Sequence, residues 1–87
     1  MDRLIVDVRE PEEYVSGHVE GAVNLPPPVL LGDLHELKDI SKDTEIVLYC
    51  RTGSRSNVAM HILQDKGYTR LINGINQEHV EAKYLSQ

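Results

Sequence analysis

With 87 residues, a single cysteine and a formal net charge of −5, the chain has room for one small domain, residues 1–87, whose core is sufficient but thin. A lone thiol excludes an internal disulfide and, with no C-x-x-C pair, a cysteine-based structural zinc site. No apolar run approaches the ~20 residues of a membrane helix, and no basic cluster outside one short loop offers a nucleic-acid surface.

In chain order, Leu4-Ile5-Val6 is a compact apolar run ending at Asp7, which predicts a first strand. Glu10-Pro11-Glu12-Glu13-Tyr14 reads as a helix start, with proline in the first turn and acids beside it, and Ser16-Gly17 closes that helix. Ala22-Val23-Asn24-Leu25 predicts a second strand. Pro26-Pro27-Pro28 then forces an extended break, after which Leu30, Leu31, Leu34 and Leu37 have the spacing of an amphipathic helix that Gly32 weakens.

Ile46 to Tyr49 is the third strand, and Ser56 to Lys66 the next helix. Val58, Ala59, Ile62 and Leu63 are expected on one face of it, with Gly67 as its left-handed stop. Leu71-Ile72 makes a fourth strand and Gln77 to Leu85 a terminal helix. This alternation predicts an α/β fold, a small open parallel sheet of about four strands with helices on both faces.

Cys50 opens the run Cys50-Arg51-Thr52-Gly53-Ser54-Arg55 directly after the third strand. Two fixed positive charges among small, turn-compatible residues suit a loop that aims its backbone N–H groups inward as an anion nest. A free thiol titrates near ~8.5, so a downward shift of about two units makes thiolate the major form at neutral pH. Arg51, Arg55 and the positive end of a helix beginning near Ser56 are three sources for that shift. The opposing reading, an inert small hydrophobe closing a buried strand, is weakened by Gly53 and the two arginines that follow the cysteine.

Ligands of open parallel sheets sit beyond the carboxyl ends of the strands, where the strand order reverses. With the first and third strands adjacent, Asp7 and Cys50 meet there. Asp7 is expected either to pair with Arg55 and hold the loop's shape or to cap the turn into the first helix. His18, His35, His61 and His79 are scattered and read as surface or packing residues.

Together, Val6-Asp7-Val8-Arg9-Glu10-Pro11-Glu12-Glu13-Tyr14, Gly17-His18-Val19-Glu20-Gly21-Ala22-Val23-Asn24 and the Cys50 to Arg55 loop resemble the rhodanese, or sulfurtransferase, family, in particular its minimal single-domain members. The resemblance implies that Cys50 carries a persulfide, that the loop's N–H groups hold the anion and that Arg51 and Arg55 are the matching charged positions. Thr52, Gly53 and Ser54 complete the expected substrate-binding loop, with Asp7 and Ser56 as its expected support. Neither a metal nor a cofactor is expected. Relatives commonly follow the last strand with a double glycine and then a tryptophan. Here Gly74 is followed by Ile75, and the chain has no tryptophan.

The expected reaction moves sulfane sulfur from thiosulfate or another small anionic donor to a thiol or cyanide acceptor, or to a sulfur-accepting protein. Because the nucleophile is already an anion and leaving sulfite needs no proton, no histidine base is required. Cysteine phosphatases and arsenate reductases use a C-x5-R loop, one residue longer than the C-x4-R loop here, which narrows the ring of donors against a tetrahedral phosphate. Two other readings are a persulfide carrier serving one protein partner and a non-catalytic interaction module. A monomer is expected, without nucleic acid or membrane as partner. The compartment is cytoplasmic as the chain stands, or periplasmic if a leader has been removed.

Overall fold

A computed structural model describes residues 3–32 and 35–85. Four parallel strands, β1 (Arg3–Asp7), β2 (Val23–Asn24), β3 (Glu45–Cys50) and β4 (Arg70–Asn76), form one sheet in the order β2-β1-β3-β4. After β2 the chain crosses back over β1 to lay down β3, so the direction of strand addition reverses between β1 and β3. There Asp7 lies opposite Tyr49, one residue short of Cys50. The expected architecture is the one observed.

Strand alternation divides the core into two layers. Val6 and Val8 join Ile46, Leu48 and Cys50 on one face, under Leu30 of α2 (Pro27–Leu30) and Ala59 and Leu63 of α3 (Ser54–Asp65). Ile5, Val47 and Tyr49 face the other way and pack with Val19, Ala22 and Val80, the last from α4 (Gln77–Val80). The first helix, α1 (Pro11–Ser16), begins with a reciprocal box. The Glu13 carboxylate accepts from the Glu10 N–H at 2.9 Å, and Pro11 occupies the first turn, where its missing N–H is harmless.

Three local expectations change. Pro27 and Pro28 start α2 instead of extending the break, because their fixed φ suits a first helical turn and only Pro26 is extended. The single amphipathic helix becomes α2 and a separate 3₁₀ turn (His35–Leu37). Leu30 and Leu37 are buried, Leu31 is 68% exposed, and Leu34 lies outside the described residues. Helix α3 begins two residues early, at Ser54, and its buried stripe is Ser56, Ala59 and Leu63, which leaves Val58 exposed.

The terminal helix is regular only to Val80 and continues as a wider π turn (Glu81–Leu85). No helix among the described residues is long and apolar enough to cross a membrane.

The outer edge of the site is set by a bulge in β4. Leu48 pairs with Asn73 and Tyr49 with Ile75, so Gly74 is an extra residue in the strand. A Cβ on Gly74 would lie 2.6 Å from Val80 Cγ2 and 2.8 Å from Val47 Cγ1, which only glycine avoids. Ile75 completes the bulge with φ of +73°, a left-handed conformation that a β-branched residue rarely adopts.

Candidate active site

Cys50 ends β3, and the chain turns through Arg51, Thr52 and Gly53 directly into α3. Gly53 takes φ of +96°, and this left-handed turn aims its own N–H back at the Cys50 sulfur, 3.1 Å away. Ser56 is fully buried in the first turns of α3, with its hydroxyl 3.6 Å from the same sulfur. Burial pushes the thiol up, but hydrogen bonds from the Ser56 N–H and hydroxyl and from the Thr52 and Gly53 N–H groups outweigh it and bring the thiol from 9.0 down to about 7. A thiolate is therefore accessible at neutral pH without a histidine.

The arginines stand further out than the sequence alone suggested. Arg55 donates from Nη1 to Glu13 Oε1 at 2.8 Å and from Nη2 to Oε2 at 3.3 Å, and Arg51 reaches the same carboxylate at 3.4 Å. Arg55, with help from the Glu10 N–H, holds the Glu13 carboxyl at about 2. One acid on α1 thus gathers both positive charges of the loop and ties α1 to α3. Thr52 and Ser54 are exposed, with their hydroxyls 3.3 Å apart.

Asp7 does not pair with Arg55. Its side chain lies on the Tyr49 face of the sheet, whereas Cys50 and α3 lie on the other, a consequence of strand alternation. There the carboxylate, with no exposed surface, accepts from the Arg9 N–H at 2.9 Å, from Arg9 Nε and Nη2, and from the Tyr49 hydroxyl at 3.0 Å. The hydroxyl of Tyr49 in turn accepts from the Val19 N–H at 3.0 Å, and burial pushes this phenol up to about 12. Asp7 therefore fixes the exit of β1, and the loop beside Cys50 is held by other groups.

Those groups are Glu13 and Asn73, neither of which sequence reasoning singled out. Glu13 was visible only as a first-turn acid of α1. Asn73 is placed by the β4 bulge, which no local pattern announces. Its Nδ2 donates to the Gly53 carbonyl at 3.0 Å, and its Oδ1 accepts from the Ser56 hydroxyl at 2.6 Å and the Ile75 N–H at 2.9 Å.

Cys50, itself only 2% exposed, forms part of the wall of an open depression of about 330 Å³ bordered by Arg9, Glu13, Arg51, Asn76 and Glu78. A larger hollow of about 440 Å³ between α3 and β4, lined by Met60, His61, Tyr68 and Leu71, shares no residue with it and contains no thiol. Chemistry, not size, decides between the two.

A thiol of lowered pKa at the carboxyl edge of a parallel sheet, met by loop N–H donors and flanked by two arginines, marks an α/β domain with a candidate nucleophilic cysteine. The chain belongs to the rhodanese-like domain family, which it matches over residues 1–77. It is 38% identical over 72 residues to a sulfurtransferase of Allochromatium vinosum, covering 83% of this chain and 64% of that protein. It is 36% identical over 74 residues to the thiosulfate sulfurtransferase PspE of Escherichia coli K12, covering 78% of this chain and 64% of that one. The chain thus spans slightly less than two thirds of these curated relatives, 64% in each case. A solved structure of a rhodanese with anions from E. coli superposes with a TM-score of 0.77 at 31% identity, over 88% of this chain and 89% of that one.

Proposed function

We propose that the protein transfers sulfane sulfur through a persulfide on Cys50, with thiosulfate or a similar small anion as donor. The observation that carries this reading is the Gly53 N–H directed at the Cys50 sulfur from 3.1 Å at the wall of an open depression. The thiolate attacks the outer sulfur of thiosulfate. A bond forms between the two sulfurs, the bond from the outer sulfur to the sulfonate breaks, and sulfite leaves with the electron pair. The charge on the enzyme stays at one negative unit, now on the outer sulfur of the persulfide. An acceptor thiolate or cyanide then attacks that sulfur and regenerates the Cys50 thiolate.

Bringing a divalent anion to a thiolate is the electrostatic obstacle. The loop N–H groups of Thr52, Gly53 and Ser56 and the guanidinium of Arg51, exposed over 69% of its side chain, are the groups available to offset it. Arg55, bound in two places to Glu13, serves the shape of the loop, and Ser54 opens the helix whose Ser56 N–H meets the sulfur.

Intact-protein mass spectrometry after incubation with thiosulfate tests the reading. The expected result is a gain of one sulfur atom that cyanide or a reductant removes and that Cys50→Ser, a nearly isosteric change, abolishes. No gain on a thiol that still alkylates would rule out thiosulfate as donor, and a gain retained in Cys50→Ser would rule out the cysteine.

A further inference from the structure

The Cys50 site carries a group with no assigned part in sulfur transfer, the carboxamide of Asn73. We infer that Asn73 is a positioning residue of this site, acting through Gly53 to hold its N–H donor on the negatively charged sulfur while keeping the Ser56 hydroxyl beside it. The inference rests on the Cys50 chemistry proposed above, and its first test reads the thiol directly, without sulfur transfer.

The argument begins with a single proton. Ser56 is fully buried, and its hydroxyl has three acceptors in reach: Asn73 Oδ1 at 2.6 Å, the Gly53 carbonyl at 3.2 Å and the Cys50 sulfur at 3.6 Å. In the thiol form the shortest contact takes the proton, and the S–H of Cys50 can donate to the serine oxygen. Once the sulfur is an anion it becomes the strongest acceptor of the three, and the hydroxyl turns to it.

That turn leaves neither of the other two acceptors empty. Asn73 Oδ1 keeps the Ile75 N–H at 2.9 Å, and the Gly53 carbonyl keeps Asn73 Nδ2 at 3.0 Å and the Asn57 N–H at 3.0 Å. An acceptor left unpaired in a half-buried site is penalised, so this second set of partners is what makes the swap cheap. The same Nδ2 bond anchors the carbonyl of Gly53, the residue whose left-handed φ points its N–H at the sulfur.

The backbone around Asn73 is built for this placement. The Gly74 bulge and the left-handed Ile75 fold the Ile75 N–H back onto the Asn73 side chain, and Ile75 Cγ2 lies 3.7 Å from where a Cβ on Gly53 would sit. Strain of this kind persists only where the surroundings over-determine it, and it clusters at functional sites. The charged groups that border the depression around the thiol are Arg9, Glu13, Arg51 and Glu78, with Arg55 on α3. Asn73 adds no charge to them.

Asn73→Ala removes the Nδ2 donor that anchors the Gly53 carbonyl, leaving it the Asn57 N–H alone, so that the Gly53 N–H is no longer held on the sulfur. It also removes Oδ1, the acceptor of the Ser56 proton in the thiol form, an opposing effect that the loss of the Gly53 donor is expected to outweigh. The test is the pH dependence of Cys50 alkylation by iodoacetamide in the folded protein. The expected result is a midpoint raised by about one unit above its value near 7, with a donor turnover that is depressed at pH 7 and recovers near pH 9. In a Ser56→Ala background the same substitution should raise the midpoint at least as much, since the opposing release of the serine hydroxyl is already gone.

An unchanged midpoint, whatever the change in melting temperature, overturns the proposal and leaves Asn73 a structural residue. Should the alanine variant not fold, Asn73→Ser, too short to bridge Gly53 and Ile75, carries the same expectation and the same refutation. Failure of the persulfide reading would appear separately, as a shifted alkylation midpoint in a protein that takes up no sulfur.

Discussion

Glu13 on α1 receives both arginines of the Cys50 loop, Arg55 through two bonds and Arg51 through one, so a single carboxylate offsets part of the positive charge that faces the depression. The anionic donor of the proposed reaction would compete with it for Arg51. Glu13→Gln removes that competition and raises the local charge by one unit. The Michaelis constant for thiosulfate is expected to fall several-fold, as an effect of about 1 kcal/mol from one neighbouring charge in a solvated cleft requires. An unchanged or increased constant would show that the arginines do not meet the donor.

The same substitution alters acid stability. The folded-state pKa of Glu13 is lowered from 4.5 to about 2, so its contribution is fully present above about 4.5 and is lost as pH falls from there toward 2. Urea denaturation across that window should be flatter for Glu13→Gln than for the parent chain. Identical slopes would mean that the ion pair contributes nothing to the fold.

Cys50 has the opposite end of the pH scale. Its lowered folded-state value means that the unfolded chain holds more protons between about 7 and 9, so stability rises with pH across that interval and the contribution is lost as pH falls through about 7. The total gain is on the order of 2 kcal/mol. Cys50→Ser should abolish the rise in denaturation midpoint between pH 7 and 9, and a rise that persists in the serine variant would assign it to another group.

What was legible in the chain is what local pattern encodes. The strand at Ile46 to Tyr49 is an apolar run, Gly67 is a glycine placed where a helix must stop, and the Cys50 loop joins charge to small residues within six positions. The partners of these groups were not legible, because they depend on register and face. Asp7 and Arg55 seem natural partners until strand alternation puts Asp7 beside Tyr49, and Arg9, two residues on, is then the nearer cation. Likewise, Asn73 reaches Ser56 only because Gly74 is an extra residue in β4, a feature of pairing and not of composition. The proline run misled for a simpler reason: the fixed φ that breaks a helix from within also starts one.

The left-handed Ile75 gives a prediction that depends on a sign. At an ordinary backbone position alanine is more stabilising than glycine by about 0.5–1 kcal/mol. At φ of +73° the Cβ is penalised by about 1–2 kcal/mol, so Ile75→Gly should be more stable than Ile75→Ala, with both variants losing the same side-chain contacts. Denaturation midpoints of the two variants settle the matter, and the usual order, alanine above glycine, would remove the strain at this site. Next door, Gly74→Ala must push on Val47 and Val80, both fully buried, and should lose about 1–3 kcal/mol.

Asp7 and Arg9 make the last test, since their pairing was set by the face of the sheet. The carboxylate is fully buried and the Arg9 side chain nearly so, with Nη2 of Arg9 bridging Asp7 Oδ2 at 2.7 Å and the Gly17 carbonyl at 2.6 Å. Asp7→Asn keeps the shape but leaves a buried guanidinium without its counter-charge, and removing one partner of such a pair is worth about 3–5 kcal/mol. Replacing both, as Asp7→Asn with Arg9→Met, should lose less than the sum of the two single changes, because no charge is then stranded. Additive losses across that cycle would mean that Asp7 and Arg9 hold β1 independently, each through its bonds to Tyr49 and Gly17, and that their contact is incidental.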